Sequence, residues 1–171
     1  MTKRQKGFSL IELLIVVAII LIIAAIAIPN LLRARMAANE SSAVGSTRTI
    51  VTTEVQYSTT YGTGFAPTIA ALGGPASCVA AAANACLIDP VLTLGTKSGY
   101  TFKALPNGGA GTTVSPFTGF EVSTNPLTVG TTGQRSFCSD QTGVIHFDVT
   151  GAVMGTAAGA CAALPSTQVL Q

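Results

Sequence analysis

Tryptophan is absent from this chain, histidine occurs once, and only 9% of the residues are charged. The single His146 sits within the alternating stretch Val144-Ile-His-Phe-Asp148. A histidine metal set or a base-activated nucleophile needs further partners of a kind that are missing here, so His146 reads as a structural or surface residue. No glycine-rich phosphate loop, zinc-type cysteine spacing or nucleophile elbow is present. Catalytic, metal-binding and cofactor-binding residues are therefore not expected, and the chain does not read as an enzyme. Cations are scarce too. Lys and Arg number 9 against 7 Asp and Glu, and beyond residue 61 only Lys97, Lys103 and Arg135 are basic. A phosphate-tracking surface needs more positive charge than that, so no nucleic-acid partner is expected for the chain itself.

What the chain has instead is apolar residues gathered at one end. Hydrophobic residues make up 48% of the sequence, and from Leu13 to Ile28 they run without interruption as LLIVVAIILIIAAIAI. Phe8, Leu10 and Ile11 extend the run backward, and Leu31 and Leu32 extend it forward. About 20 such residues cross the hydrocarbon core of a bilayer as a helix. Lys3, Arg4 and Lys6 crowd the other side of this stretch. The positive-inside rule keeps those residues cytoplasmic and sends everything after Leu32 across the membrane. At 171 residues the chain has room for one modest globular domain besides this segment.

One acid interrupts the apolar stretch. A carboxylate in the middle of a membrane helix costs roughly 2.5–3.5 kcal/mol on the lenient insertion scale, so Glu12 calls for a partner. A secretory signal peptide and a plain membrane anchor are both compatible with the run, but each leaves Glu12 without a role. Cleavage between Gly7 and Phe8 supplies one. The new α-amine lies four residues before Glu12, one helical turn away and of opposite charge, and the same amine can neutralise the Glu12 of a neighbouring chain. With the first seven residues removed, six basic residues face seven acidic ones.

The sequence Lys6-Gly-Phe-Ser-Leu-Ile-Glu-Leu13, followed by the apolar run and then Pro29, closely resembles the amino terminus of the type IV prepilins and the pseudopilins of type II secretion. The resemblance is specific over residues 3–35. It implies a leader peptide over residues 1–7, cut after Gly7 by a membrane prepilin peptidase that also methylates the Phe8 amine. It further implies that Glu12 is the assembly glutamate, that Pro29 kinks the helix, and that residues 8–33 form its transmembrane and polymerisation half. The periplasmic or extracellular globular domain then covers residues 34–171. Many relatives carry a helix-weakening glycine where this chain has Leu21. The expected life of the protein is a single-pass inner-membrane precursor, amino terminus inside, that homopolymerises with the help of an assembly machinery. The product is an extracellular pilus or a periplasmic pseudopilus. A minor subunit whose sheet domain binds a ligand is a further possibility. Asp140 and Asp148 are the acids that would join a calcium site of the kind some pseudopilins carry, although two carboxylates in a turn and a strand read first as solvated.

Beyond Pro29, Met36, Ala43, Thr47, Ile50, Tyr57 and Tyr61 recur at helical spacing, so one helix is expected to continue to about Tyr57. From Phe8 that makes roughly 75 Å at about 1.5 Å per residue. After Tyr61 the composition shifts to Gly, Thr, Ser, Ala and Pro. Short helices are expected over residues 68–72 and 75–83. Strands are expected over 100–105, 120–124, 135–139 and 144–150, with Asp140-Gln-Thr-Gly143 as a hairpin turn. The fold class is therefore α+β, a pilin-like long helix laid on an antiparallel sheet of about four strands. Cys78, Cys86, Cys138 and Cys161 allow three disulfide pairings. Short loops close more readily, which favours Cys78 with Cys86 and Cys138 with Cys161. Four free buried thiols are the alternative. Disulfides require an oxidising compartment. Asn39-Glu-Ser41 matches a glycosylation sequon, here on a helix.

Overall fold

The computed structural model describes residues 7–164 and 168–170. Residues 1–6 of the expected leader lie outside the described residues. The chain separates into two compact units, residues 1–35 and 36–171.

In the first unit every described residue from Leu10 onward belongs to helix α1 (Leu10–Tyr61). Its apolar side chains are exposed from Leu10 to Leu32. The helix satisfies its own backbone polar groups, so the segment needs only an apolar surrounding to be stable. Pro29 lies inside the helix, which runs through it without a break. Lacking an N–H, Pro29 leaves the carbonyl four residues earlier, that of Ala25, without its usual donor.

In the second unit α1 buries one face. Glu40, Ala43, Thr47, Ile50, Glu54 and Tyr57 are all buried, and their spacing of three and four places them on a single stripe. The helix outlasts the expected end at Tyr57 by one turn. It stops where Gly62 adopts φ 68°, the left-handed conformation glycine accepts at little cost; Gly62 N–H donates to the Ser58 carbonyl at 3.3 Å. Threonines are poor helix formers. Here Thr47, Thr49, Thr52, Thr53 and Thr60 each turn the hydroxyl back onto the carbonyl four residues before.

Between helix and sheet the chain forms α2 (Ile69–Leu72) and α3 (Pro90–Thr93). The α2 turn fits the helix expected over 68–72: Thr68 caps it, its hydroxyl accepting from Ala71 N–H. The helix expected over 75–83 does not form. Two turns and an Ala81–Asn84 bridge occupy that stretch, closed by the Cys78–Cys86 disulfide. Gly73, Gly74 and Pro75 break the pattern at its start, and Ala85, Cys86 and Leu87 N–H groups donate to Ala71, Gly73 and Leu72 carbonyls. Alanine's helix preference is overridden by this clip. The α3 turn was not expected from the sequence, although Asp89-Pro90 is a helix-start pair: Asp89 Oδ1 accepts from Leu92 N–H at 2.9 Å and Pro90 fills the first helical position.

The sheet is an antiparallel meander of β1 (Thr96–Lys97), β2 (Tyr100–Asn107), β3 (Gly119–Pro126), β4 (Ser136–Asp140) and β5 (Ile145–Asp148), in that order. Four expected strands are present with shifted ends, and β1 makes a fifth. It is only two residues long and turns into β2 through Ser98 and Gly99, both at positive φ. The expected turn at Asp140–Gly143 joins β4 and β5, with Gly143 N–H donating to the Asp140 carbonyl at 3.0 Å.

Register fixes two faces. Phe102, Thr124, Phe137 and Phe147 lie in one cross-strand row, and Ala104, Val122, Ser139 and Ile145 in the next. This face meets α1 in the main core. There Thr47 and Thr124 share a hydrogen bond of 2.8 Å between hydroxyls. The opposite face carries Glu121, Ser123, Asn125, Cys138 and Asp140, all buried. Residues 151–164 contribute to that burial, with Met154 and Cys161 packing around Cys138.

Candidate functional site

The amino-terminal candidates are Gly7, Phe8, Glu12 and Pro29. Gly7 and Phe8 precede the helix, and Phe8 is 84% exposed. A Cβ on Gly7 would meet nothing within 4 Å, so the fold does not itself require glycine there. Ser9 stands at the N-cap position. Its N–H donates to Glu12 Oε2 at 2.9 Å, and Leu13 N–H donates to the Ser9 carbonyl at 3.2 Å. Glu12 is thus the third residue of the helix and reaches back to the cap, which is half of a capping box. It also sits at the positive end of the helix dipole. The structure therefore changes one premise: Glu12 has a partner within its own chain. That partner is a neutral N–H bound to one of the two carboxylate oxygens, which leaves the negative charge in place for a cation.

The second unit carries three buried carboxylates that sequence reasoning did not single out. Glu40 Oε1 accepts from the N–H groups of Gln134 and Arg135 at 2.9 and 3.1 Å, and its Oε2 accepts from Arg135 Nε at 2.8 Å. Burial raises the Glu40 pKa, but these hydrogen bonds and the guanidinium outweigh it and hold the group below the usual carboxylate range. The same guanidinium lies over the rings of Phe137 and Phe147. Glu54 accepts from Ala66 N–H at 2.7 Å through Oε2, while Oε1 has no partner among the described residues. Desolvation pushes it up to about 7, the Ala66 bond opposing. Glu121 on β3 accepts from Cys161 N–H at 3.2 Å and is raised by burial, with Asp140 adding to the rise. The signal for Glu40 and Glu54 was their place on the stripe of Ala43, Thr47, Ile50 and Tyr57.

Cys78 pairs with Cys86 and Cys138 with Cys161, and no cysteine is free among the described residues. The second bridge ties the carboxy-terminal segment to β4. Asp140 and Asp148 each bind their own loops: Asp140 Oδ1 accepts from Thr142 N–H at 2.9 Å, and Asp148 Oδ1 from Thr150 N–H at 2.8 Å. Among the described residues no cluster of acids, cysteines or histidine could hold a metal ion. His146 is buried in β5 opposite Cys138, and its Nδ1 has no hydrogen-bond partner among the described residues. The Asn39 amide of the sequon donates to the Thr132 carbonyl at 2.8 Å.

Among the described residues one helix, α1, is long and apolar enough to cross a membrane. Residues 2–28 match the model of the prokaryotic N-terminal methylation motif. The chain is 64% identical over 39 residues to the type IV wide pilus major component PilA4 of Thermus thermophilus, and 44% identical over 54 residues to the type IV major pilin protein PilA of Myxococcus xanthus. These alignments cover 23% and 32% of this chain and 30% and 24% of those relatives. No solved structure matches. The similarity to type IV pilins therefore lies in the amino-terminal segment, the methylation motif over residues 2–28 and the 39 and 54 residues aligned with the two relatives.

Proposed function

We propose that this chain is a structural subunit of a type IV pilus, an extracellular fibre serving adhesion, twitching motility or DNA uptake. In this reading the precursor sits in the inner membrane with its amino terminus in the cytoplasm. A prepilin peptidase removes residues 1–7 after Gly7 and methylates Phe8, and the mature chain polymerises through residues 8–33. The observation that carries the reading is the pairing of an uncovered apolar helix with a single acid, Glu12, held at its first turn. An exposed apolar rod of this length is stable only in lipid or among copies of itself. The liberated amine of an incoming chain would meet Glu12 in the growing fibre and set the axial register. Loss of the Pro29 donor would loosen the helix around Ala25 during that transfer.

A pseudopilin of a type II secretion system would use the same amino-terminal segment. The pilus is preferred because both relatives are named as major pilus components. Intact-mass measurement and amino-terminal sequencing of protein from sheared surface fibres test the proposal: the chain should begin at N-methylated Phe8. Retention of the first seven residues in assembled fibres overturns it. Loss of exoprotein secretion on deletion, with no surface fibre, would assign the chain to the pseudopilus.

A further inference from the structure

On the outer face of the sheet, between β2, the end of β3 and the carboxy-terminal segment, lies a groove of about 520 Å³, within the range of small-molecule sites. Lys103, Asn125 and Thr101 supply its polar groups, and Leu105, Leu127 and Val153 its apolar walls. We propose that this groove binds an acidic saccharide, a hexuronic acid ring with its carboxylate on Lys103.

The charge comes first. Of the three basic residues after position 61, Lys97 is paired with Asp89 at 2.9 Å and Arg135 with Glu40 at 2.8 Å. Lys103 forms no ion pair among the described residues. It stands exposed on β2 directly across from Ser123. The acid nearest in register, Glu121, faces Leu105 and spends an oxygen on Cys161 N–H.

The second observation is independent of charge. Asn125 is only 9% exposed, and its Nδ2 donates to Ser123 Oγ at 2.8 Å, whose hydroxyl donates onward to the Met154 carbonyl. That chain fixes which way the amide points. Its Oδ1 is left buried without a partner among the described residues, a state that natural structures seldom leave unexplained. The Asn125 side chain lines the groove, and in this proposal a ligand hydroxyl is the donor its Oδ1 lacks. Thr101 Oγ1 donates to the Asn125 carbonyl at 3.1 Å, so its lone pairs also remain for a ligand hydroxyl.

The groove thus asks for an anion, for hydroxyl donors and for a C–H surface to lie on Leu105, Leu127 and Val153. A sugar ring has both a hydroxyl edge and a C–H face, and a uronic acid adds the carboxylate. Inorganic phosphate would satisfy Lys103 but leave the apolar walls uncovered. A neutral sugar would leave Lys103 unused.

The test is a titration of the isotope-labelled full-length chain in detergent, read by NMR, with D-glucuronate, D-glucose and inorganic phosphate as probes. Glucuronate should shift the resonances of Lys103, Asn125 and Leu127 with millimolar affinity, and glucose should bind about tenfold more weakly. Lys103→Gln, a surface change whose spectrum should otherwise overlay the parent's, should weaken glucuronate about tenfold and leave glucose unchanged. Absence of groove shifts, equal binding of phosphate, or equal binding of the two sugars overturns the proposal. So does a Lys103→Gln variant that binds glucuronate normally but lowers fibre yield, which would make the groove a contact between subunits. The titration uses the unassembled chain, so its outcome is separable from that of the pilus reading.

Discussion

Inside the core the Glu54 carboxylate accepts the Ala66 N–H at 2.7 Å, and its other oxygen meets no donor among the described residues. This single bond pins the chain that leaves α1 to the helix it has just left. The site suits the protonated acid better than the carboxylate, because desolvation raises Glu54 from 4.5 to about 7.

The raised value sets the sign of a pH dependence. Below the unfolded pKa near 4.5 the acid is protonated in both states, and the contribution of Glu54 to stability is fully present. As pH rises toward about 7 the unfolded chain loses the proton first, so this contribution falls, by at most about 3–4 kcal/mol at roughly 1.4 kcal/mol per unit. Glu40, whose pKa is lowered, acts in the opposite direction and only in more acid solution. Glu54→Gln should therefore flatten the decline between pH 5 and 7 in chemical denaturation of the detergent-solubilised chain. An unchanged slope would place the pH dependence elsewhere, with Glu121 the next group to replace.

Glu40 should matter to stability for a different reason. It satisfies two backbone N–H groups and the Arg135 side chain at once. Glu40→Ala leaves those donors and a partly buried guanidinium unpaired, which should cost about 2–4 kcal/mol. Glu40→Gln keeps one acceptor and should cost clearly less. Denaturation midpoints of the two variants decide, and equal losses would show that packing rather than pairing is at stake.

The two disulfides should not be equivalent. Cys138–Cys161 closes the longer loop, 23 residues against 8, and its Cys138 is fully buried beneath residues that cover the outer sheet face. Replacing that pair with serine should cost roughly 3–4 kcal/mol and expose residues 151–164 to protease, whereas the Cys78–Cys86 pair should cost less. Limited proteolysis with mass mapping checks both parts. Cleavage confined to residues 73–87 in each variant would contradict the role given to the carboxy-terminal bridge.

Much of this architecture was legible because its signals are local. The apolar run and Glu12 announce the amino-terminal segment, and period-two alternation in Tyr100–Phe102 and Ile145–Phe147 marks two strands. The misread stretches are those where a distant contact overrides a local preference. Residues 75–83 are rich in alanine, yet a disulfide and three backbone bonds to α2 and the glycine after it hold them in turns. The two-residue β1 has no periodicity to detect and exists because Ser98-Gly99 folds it onto β2. The buried acids were hidden for the same reason: on the helix they look like solvated charges until Arg135 and Ala66 are brought beside them.

The local partner of Glu12 makes the proposed assembly role separable from a purely structural one. If Glu12 serves only as a helix cap, a neutral acceptor does nearly as well, and removing the acceptor costs about 1 kcal/mol at one end of a long helix. If its charge receives a neighbour's amine, loss of charge is what counts. Glu12→Gln keeps an acceptor for the Ser9 N–H and discards the charge; Glu12→Ala discards both. The charge role predicts that both variants insert in the membrane and that both lower fibre yield at least about tenfold, since an unneutralised amine in an apolar fibre core costs several kcal/mol. The cap role predicts normal fibres from Glu12→Gln. Glu12→Asp is the third arm: it keeps the charge but shortens the reach by one methylene, so partial assembly is expected. Sheared-fibre yield, normalised to subunit in the membrane fraction, reads all three, and abundant fibres from the glutamine variant would remove the charge pairing from the account.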